Sequence, residues 1–217
     1  MIRPDLSTYL VTDAAACGPR GVLDVVRAAV AGGVTAVQLR EKTASARELF
    51  ELTRRAAALI DGRALLLVDD RVDVALAARQ AGARVDGVHI GQSDLPATAV
   101  RRMLGGDAVI GLTANTPRHL AELAALPAGT VDYLGVGVIR PTATKPDHPA
   151  PLGVAGFAAL ASAAPLPCVA IGGVTRADTT ALRAAGAAGL AVVSAICAAP
   201  DPERAARELA TAWREAA

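Results

Sequence analysis

Short apolar runs alternate along the whole chain with longer stretches in which apolar residues recur at helical spacing. The short runs are rich in Val, Ile and Leu and predict strands near residues 9–11, 36–39, 64–68, 87–90, 109–112, 133–136, 168–171 and 190–193. The longer stretches predict helices near residues 21–31, 45–60, 72–81, 97–104, 117–126, 154–161, 177–185 and 202–213. Strands that alternate with helices in this way favour parallel pairing through right-handed crossovers.

The number and length of these repeats favour one fold over another. Eight repeats of about 25 residues fit a TIM (β/α)8 barrel better than an open doubly wound sheet, which is the alternative. No linker rich in Ser or Gly divides the chain. We therefore expect an α/β protein with one barrel domain over residues 1–217.

Composition narrows the classes of partner. The net charge is +1 and charged residues make up 20% of the chain, so there is no basic footprint for nucleic acid or an anionic membrane. Aromatic residues are only 2%, which disfavours platforms for stacking bases. No uncharged apolar stretch reaches the roughly 18 residues of a membrane span. We expect small-molecule substrates as partners, with no nucleic acid and no membrane, and a homo-oligomer is compatible with the sequence.

The amino terminus and the cysteines favour the cytoplasm. The first residues lack the basic and then apolar order of a signal sequence. Cys17, Cys168 and Cys197 are scattered and form no CxxC pair, so the sequence indicates neither a disulfide framework nor a zinc site. A reducing cytoplasm is therefore the expected location.

Polar residues concentrate where the predicted strands end. Gln38, Arg40 and Lys42 alternate at the end of the second run, and residues at this spacing in a strand point to one face. Two cations beside an amide suit a pyrophosphate next to a neutral ring, whereas the alternative is a set of solvated loop charges. In a TIM barrel all these strand ends meet at one rim, where active sites form. Other polar residues that follow predicted strands are Asp69, Asp70, Gln92, Ser93, Asp94, Thr113, Asn115, Thr142, Thr144, Lys145 and Ser194.

Two carboxylates at this rim are candidate metal ligands. Mg²⁺ takes oxygen ligands and usually binds one or two carboxylates together with substrate phosphates. Asp70 and Asp94 follow the third and fourth predicted strands and would face Arg40 and Lys42. The alternative is that each carboxylate caps the helix that follows it.

Two loops are candidate phosphate sites. Gly172-Gly173 and Ser194 follow the seventh and eighth strands, where barrels of this type often bind phosphate. The loop after the sixth strand offers the hydroxyls of Thr142 and Thr144 and the mobile charge of Lys145. The alternatives are an ordinary glycine turn and an ordinary polar loop.

The histidines suggest no catalytic arrangement. His89 lies within a strand and is interpreted as a core residue, and His119 is expected to face solvent from a helix. His148 lies in the sixth loop, where it could approach a ligand. No order typical of a Ser-His-Asp triad or a metal-binding His cluster is present in the sequence.

Seven motifs together resemble the thiamine phosphate synthase family. They are QLREK at 38–42, DDR at 69–71, GVHIGQSDLP at 87–96, GLT at 111–113, PTATK at 141–145, AIGGVT at 170–175 and VVSAI at 192–196. The resemblance extends over nearly the whole chain, and the motifs occur in the family's order. It implies the condensation of 4-amino-2-methyl-5-hydroxymethylpyrimidine diphosphate with a thiazole phosphate, which gives thiamine phosphate and pyrophosphate.

The resemblance also implies roles for residues. Asp70 and Asp94 would bind Mg²⁺, and Arg40, Lys42 and Lys145 would stabilise the departing pyrophosphate in a dissociative substitution. The residues expected to bind the pyrimidine diphosphate are Gln38, Leu39, Arg40, Glu41, Lys42, Asp69, Thr113 and Lys145. Those expected to bind the thiazole phosphate are Thr142, Ala143, Thr144, Gly173, Val193 and Ser194.

One departure from the family pattern bears on function. The family usually has Asn where this chain has Asp69, and an ionised Asp accepts hydrogen bonds but does not donate them. The sequence leaves two alternatives to the synthase, although the full set of Arg40, Lys42, Asp70, Asp94 and Lys145 argues against both. One is a related barrel that aromatises a thiazole phosphate, and the other is a non-catalytic ligand-binding or regulatory barrel.

Overall fold

The computed structural model describes residues 4–142 and 150–216, and within them eight parallel strands form a closed barrel. Each strand pairs with the next in sequence and the eighth pairs with the first, which confirms the predicted TIM barrel. The strands are β1 (Thr8–Val11), β2 (Ala36–Leu39), β3 (Leu65–Asp69), β4 (Gly87–Ile90), β5 (Val109–Thr113), β6 (Tyr133–Gly137), β7 (Cys168–Ile171) and β8 (Gly189–Val192).

The helices surround the barrel, and the eight predicted ones all appear with ends shifted by two residues at most. They are α1 (Ala14–Cys17), α2 (Val22–Ala31), α3 (Ala46–Ile60), α4 (Val72–Gln80), α5 (Ala97–Leu104), α6 (Pro117–Ala124), α7 (Gly153–Ala163), α8 (Thr179–Ala184), α9 (Ser194–Cys197) and α10 (Pro202–Glu215). The two short helices α1 and α9 were not predicted, because four residues are too few to establish a helical period.

Helix α3 illustrates how local sequence fixes an element. Ser45 Oγ accepts a hydrogen bond from Glu48 N at 3.3 Å, and Glu48 Oε2 accepts one from Ser45 N at 2.8 Å. This reciprocal capping box satisfies two free donors of the first turn and starts the helix. Leu49, Ala56 and Ile60 then form a buried stripe against the barrel. The loop between β2 and α3 is thereby anchored at its far end.

Alternate strand residues point into the barrel and form its interior. Tyr9, Leu67, Tyr133, Val169 and Ala191 belong to one buried cluster there, as expected for the packed interior of a small barrel. The larger apolar core lies between the strands and the helices. The interior is therefore filled by side chains below the rim.

The apolar character of the helices and the state of the cysteines can both be described. None of the helices in the described part of the chain combines the length and apolar character that crossing a membrane requires. Cys17, Cys168 and Cys197 are all buried and carry free thiols. Burial raises the pKa of the Cys168 thiol to about 11, which makes it a weak nucleophile near neutral pH.

Candidate active site

The carboxyl ends of the strands surround a cleft with two adjoining compartments. The inner compartment, of about 150 Å³, lies over the barrel axis and is lined mainly by the ends of β6, β7 and β8. The outer compartment, of about 760 Å³, lies over the ends of β3, β4 and β5. The two share a wall formed by Arg40, Asp69, His89, Thr113 and Asn115.

The alternating residues of the β2 end reach this cleft. Gln38 is only 4% exposed, and its Nε2 donates to the hydroxyl of Tyr9 at 2.8 Å. Arg40 lines both compartments, with its Nε 3.8 Å from Asp69 Oδ2. Lys42 lines the outer compartment, with its Nζ 3.0 Å from the same carboxylate oxygen. The strand period thus delivers an amide and two cations to one cleft.

Lys42 also contacts the carboxylate of Asp70. Burial by itself lowers the pKa of Lys42, but the contacts with Asp70 and Asp69 outweigh burial and raise it. Lys42 therefore keeps its positive charge at neutral pH. The cleft holds a fixed cation between two carboxylates, and an incoming anion would compete with them for it.

The two intervening residues of the same segment lie elsewhere. Leu39 is fully buried in the core between strands and helices, and its side chain lines neither compartment. Glu41 is half-buried, and its Oε1 has no hydrogen-bond partner among the described residues. Burial and then the charge of Asp13 raise the pKa of Glu41, while Arg40 opposes the shift. The side chains of these two residues therefore do not contribute to the cleft.

Asp70 and Asp94 lie together on the outer compartment, and neither side chain caps a helix. Helices α4 and α5 begin after Arg71 and Pro96 without a capping side-chain hydrogen bond. Asp70 adopts a left-handed backbone conformation with φ of 57°, which is uncommon for a residue other than glycine. Asp94 Oδ2 accepts from Gly91 N at 2.7 Å, so this carboxylate also holds the turn after β4.

The two carboxylates fit the donor set of a magnesium site. The pKa of Asp94 is raised first by burial and then by the hydrogen bond and negative charge of Asp70, although Gly91 N–H and Lys42 act in the opposite direction. A divalent cation between the two would relieve this repulsion. Within the described residues no group of three or more acidic, His or Cys side chains could hold a metal. Two carboxylates suffice for Mg²⁺, which retains waters and binds substrate phosphates.

Glycines allow the β7 loop to approach the loop after β6. A Cβ on Gly172 would lie 2.4 Å from a methyl carbon of Val138, and one on Gly173 would lie 2.8 Å from Cβ of Arg140. Both glycines have positive φ, of 89° and 66°. The backbone nitrogens of Ile139 and Arg140 each donate to Gly172 O at 3.0 Å. The glycine pair therefore holds two loops together as well as lining the inner compartment.

An ion pair fixes the same junction. Arg140 Nη2 lies 2.6 Å from Oδ1 of Asp178, which is buried at the turn after β7. Burial opposes ionisation of Asp178, but the bonds from Arg140 and Thr175 outweigh it and lower its pKa. Thr142 follows this junction and lines the inner compartment, as do Val193 and Ser194 at the end of β8. The predicted residues Ala143, Thr144, Lys145 and His148 lie outside the described residues.

Two residues reach the cleft that sequence reasoning did not assign to it. His89 lines both compartments instead of serving only the core, as does Asn115, which the sequence had placed at the rim. His119 is partly buried and lines the outer compartment, so the expectation that it faces solvent is wrong. Its Nδ1 accepts from Asn115 N at 3.1 Å. His89 lies within β4 and His119 lies in the first turn of α6, so neither was marked by a position directly after a strand.

The fold and the cleft define a (β/α)8 barrel with a polar, two-compartment site at the rim where barrel enzymes carry out their chemistry. A family model described as thiamine monophosphate synthase matches residues 8–196. The chain belongs to this enzyme family, which confirms the resemblance seen in its motifs.

Individual members of the family are similar to this chain over nearly its full length. The chain is 48% identical to a thiamine-phosphate synthase of Corynebacterium efficiens over 212 residues, which cover 98% of this chain and 97% of the relative. It is 50% identical to one of Azorhizobium caulinodans over 208 residues, which cover 95% and 94%. A solved structure of thiamine phosphate pyrophosphorylase from Pyrococcus furiosus superposes with a TM-score of 0.84 at 32% identity, covering 99% of this chain and 98% of that one.

Proposed function

We propose that this protein condenses 4-amino-2-methyl-5-hydroxymethylpyrimidine diphosphate with a thiazole phosphate, forming thiamine phosphate and releasing pyrophosphate. The observation that carries the proposal is the pair of compartments with a common wall. One compartment presents cations and paired carboxylates, which suit a metal-bound diphosphate. The other presents Gly173, Ser194 and Thr142, which suit a monophosphate. Two substrates bound in this way would meet at Arg40 and Thr113.

The chemistry requires charge stabilisation and positioning rather than a strong base. The bond between the pyrimidine methylene and the diphosphate oxygen breaks, both bonding electrons leave with pyrophosphate, and the thiazole nitrogen attacks the methylene carbon. Arg40 and Lys42 would stabilise the developing charge on the leaving group, the type of effect that often dominates catalysis. Lys145 is proposed to contribute a third cation. Holding both substrates in one cleft removes much of the entropic cost of their encounter.

Mg²⁺ is proposed as the metal, held by Asp70 and Asp94. When bound, it would supply positive charge against the diphosphate oxygens. Lys42 contacts Asp70 directly, so it would offer the diphosphate a second positive charge beside the metal site. Asp69 is proposed to accept a hydrogen bond from the pyrimidine while it remains paired with Lys42 and Arg40.

The same proposal extends to the domain organisation, the partners and the cellular location of the protein. We propose one catalytic domain over residues 1–217, with the two small-molecule substrates as partners and with a homo-oligomer compatible with the sequence. Three buried free thiols support the proposed location in the reducing cytoplasm.

A purified assay tests the proposal directly. The protein is supplied with both substrates and Mg²⁺, and pyrophosphate and thiamine phosphate are measured. We expect equal amounts of the two products, no product when either substrate is omitted, and loss of turnover with EDTA that excess Mg²⁺ restores. Absence of both products would contradict the synthase and favour the non-catalytic barrel. Turnover of a thiazole precursor alone would favour the aromatising barrel.

A further inference from the structure

A continuous chain of hydrogen bonds crosses the barrel interior beneath the cleft. Gln38 Nε2 donates to the hydroxyl of Tyr9 at 2.8 Å, and the hydroxyls of Tyr9 and Tyr133 lie 2.9 Å apart. The Tyr133 hydroxyl lies 3.0 Å from His89 Nδ1. His89 Nε2 in turn lies 3.0 Å from Thr113 Oγ1. Both ends of this chain, Gln38 and Thr113, line the inner compartment.

Glycines in neighbouring strands make room for the middle of the chain. A Cβ on Gly111 would lie 2.2 Å from Cζ of Tyr133 and 2.4 Å from Nδ1 of His89. A Cβ on Gly135 would lie 2.8 Å from Cε1 of His89. Any larger residue at either position would displace these rings. The sequence of β5 and β6 therefore reserves the space in which the phenol and the imidazole meet.

Both phenols keep their protons. Tyr9 and Tyr133 are fully enclosed, and burial is the main cause that raises the pKa of each well above its ordinary value. Each hydroxyl then has one proton to donate and can also accept. A buried hydroxyl whose proton finds no acceptor carries a penalty, so the protons are expected to be used inside the chain.

With the Gln38 amide nitrogen facing Tyr9, counting these protons gives each of the other bonds a direction. Tyr9 accepts from the Gln38 amide nitrogen, so within this chain its own proton can go only to the oxygen of Tyr133. Tyr133 then donates to Nδ1 of His89, which must be the unprotonated nitrogen. The imidazole proton therefore lies on Nε2 and is donated to Thr113. At one end the Gln38 amide oxygen remains as an acceptor, and at the other the Thr113 hydroxyl proton remains as a donor.

We infer that Tyr9, Tyr133 and His89 are positioning residues that hold Gln38 as a hydrogen-bond acceptor and Thr113 as a donor toward the ring of the pyrimidine substrate. A 4-aminopyrimidine presents the complementary set, an amino donor and a ring-nitrogen acceptor. The inference rests on the proposed function for the identity of that ring. Tyr9, Tyr133 and His89 would thus contribute to recognition of the ring through Gln38 and Thr113, which face it. Asp69 cannot supply the donor, because an ionised carboxylate only accepts.

The first test reads the proton on His89 in the ligand-free wild-type protein. Nitrogen-15 spectra of histidine-labelled protein distinguish a protonated Nε2 from a protonated Nδ1, and His89→Gln assigns the signal. We expect the proton on Nε2. A proton on Nδ1 would mean that the Gln38 amide and every bond in the chain are reversed, which overturns the inference. This measurement does not depend on turnover, so it remains decisive if the synthase proposal fails.

The second test measures discrimination between rings. The 4-oxo analogue of the pyrimidine diphosphate presents the reversed set, a ring N–H donor and a carbonyl acceptor. We expect Tyr133→Phe and Tyr9→Phe to lower the preference for the amino ring over the oxo ring by about fivefold or more, as expected when one hydrogen bond loses its direction. KM for thiazole phosphate should change less than about twofold, because the phosphate site lies outside the chain of bonds.

Thr53→Val serves as the control, since it removes a buried hydroxyl whose hydrogen bond to Leu49 O lies within α3. Thr113→Ser, which keeps the hydroxyl, should retain the preference that Thr113→Val loses. Unchanged discrimination in both folded Tyr variants would overturn the inference. Lack of any turnover in the wild type would instead contradict the proposed function, and the two failures are thus separable.

Discussion

The two compartments of the cleft present different means of binding phosphate. In the outer compartment the means are side-chain charges, with Lys42 and Arg40 set against the carboxylates of Asp69, Asp70 and Asp94. In the inner compartment the described residues beyond the shared wall offer mainly glycine backbone, hydroxyls and a loop junction in which an added carbon at Gly173 would press on Arg140. Substrate binding in the outer compartment should therefore respond to loss of a side-chain charge, and binding in the inner compartment should respond to an increase in side-chain volume.

The largest expected effect is the loss of a charge. Lys42→Ala should lower kcat/KM by about 100-fold, because a fixed cation that stabilises a leaving anion is typically of this importance. The change should be measured with both substrates varied, and KM for thiazole phosphate should stay close to the wild-type value.

Arg54→Ala is the matched control, since it also removes a cation but from the exposed face of α3. Lys42→Arg should recover part of the activity. Wild-type turnover in Lys42→Ala would indicate a solvated loop charge and would remove the proposed contrast between the compartments.

The next effect concerns the metal. Asp70→Ala should lower turnover by at least about tenfold, or about 1.4 kcal/mol in activation free energy. It should also raise the Mg²⁺ concentration needed for half-maximal activity, since one of two carboxylate ligands is lost. Asp73→Ala is the control, because that nearby carboxylate pairs with Arg71 and lines neither compartment. An unchanged Mg²⁺ requirement in Asp70→Ala would exclude Asp70 as a ligand.

Much of the difference between the outer and inner compartments was predictable from the sequence. The period of two at Gln38, Arg40 and Lys42 delivered the cations to the rim, and the strands were placed within one residue at each end. His89 was missed because alternation within a strand does not tell a barrel's interior from its exterior. The signal lay in other strands, where Gly111 and Gly135 leave space for its ring.

The glycine junction was only half predictable. Its position after β7 indicated a phosphate site, but its packing against the loop after β6 depends on how two strands are spaced in the closed barrel. The capping alternatives for Asp70 and Asp94 could not be excluded from sequence either, because caps and metal ligands use the same residue types. The positions of the helix starts exclude capping by these two side chains.

A smaller effect should distinguish volume from charge. Gly173→Ala should raise KM for thiazole phosphate by about fivefold and lower the free energy of unfolding by about 2 kcal/mol or more, because the added carbon meets Arg140 and the backbone is left-handed. Gly129→Ala is the control, since its φ is 77° with nothing within 4 Å of the added carbon. It should lose only about 1 kcal/mol of stability, the cost of the backbone conformation alone, with an unchanged KM. Equal KM values in both variants would contradict a volume-sensitive inner compartment.

The smallest effect is expected at the wall shared by both compartments. Asp69→Asn keeps an acceptor for the pyrimidine and adds a donor, but it removes the charge that pairs with Lys42 at 3.0 Å and with Arg40 at 3.8 Å. Freed cations would bind the diphosphate more readily, while their positions would be less fixed. These opposing consequences should leave kcat/KM within about threefold of wild type, comparable with one ordinary hydrogen bond. Abolished activity would mean that the carboxylate of Asp69 has a role that an amide cannot fill.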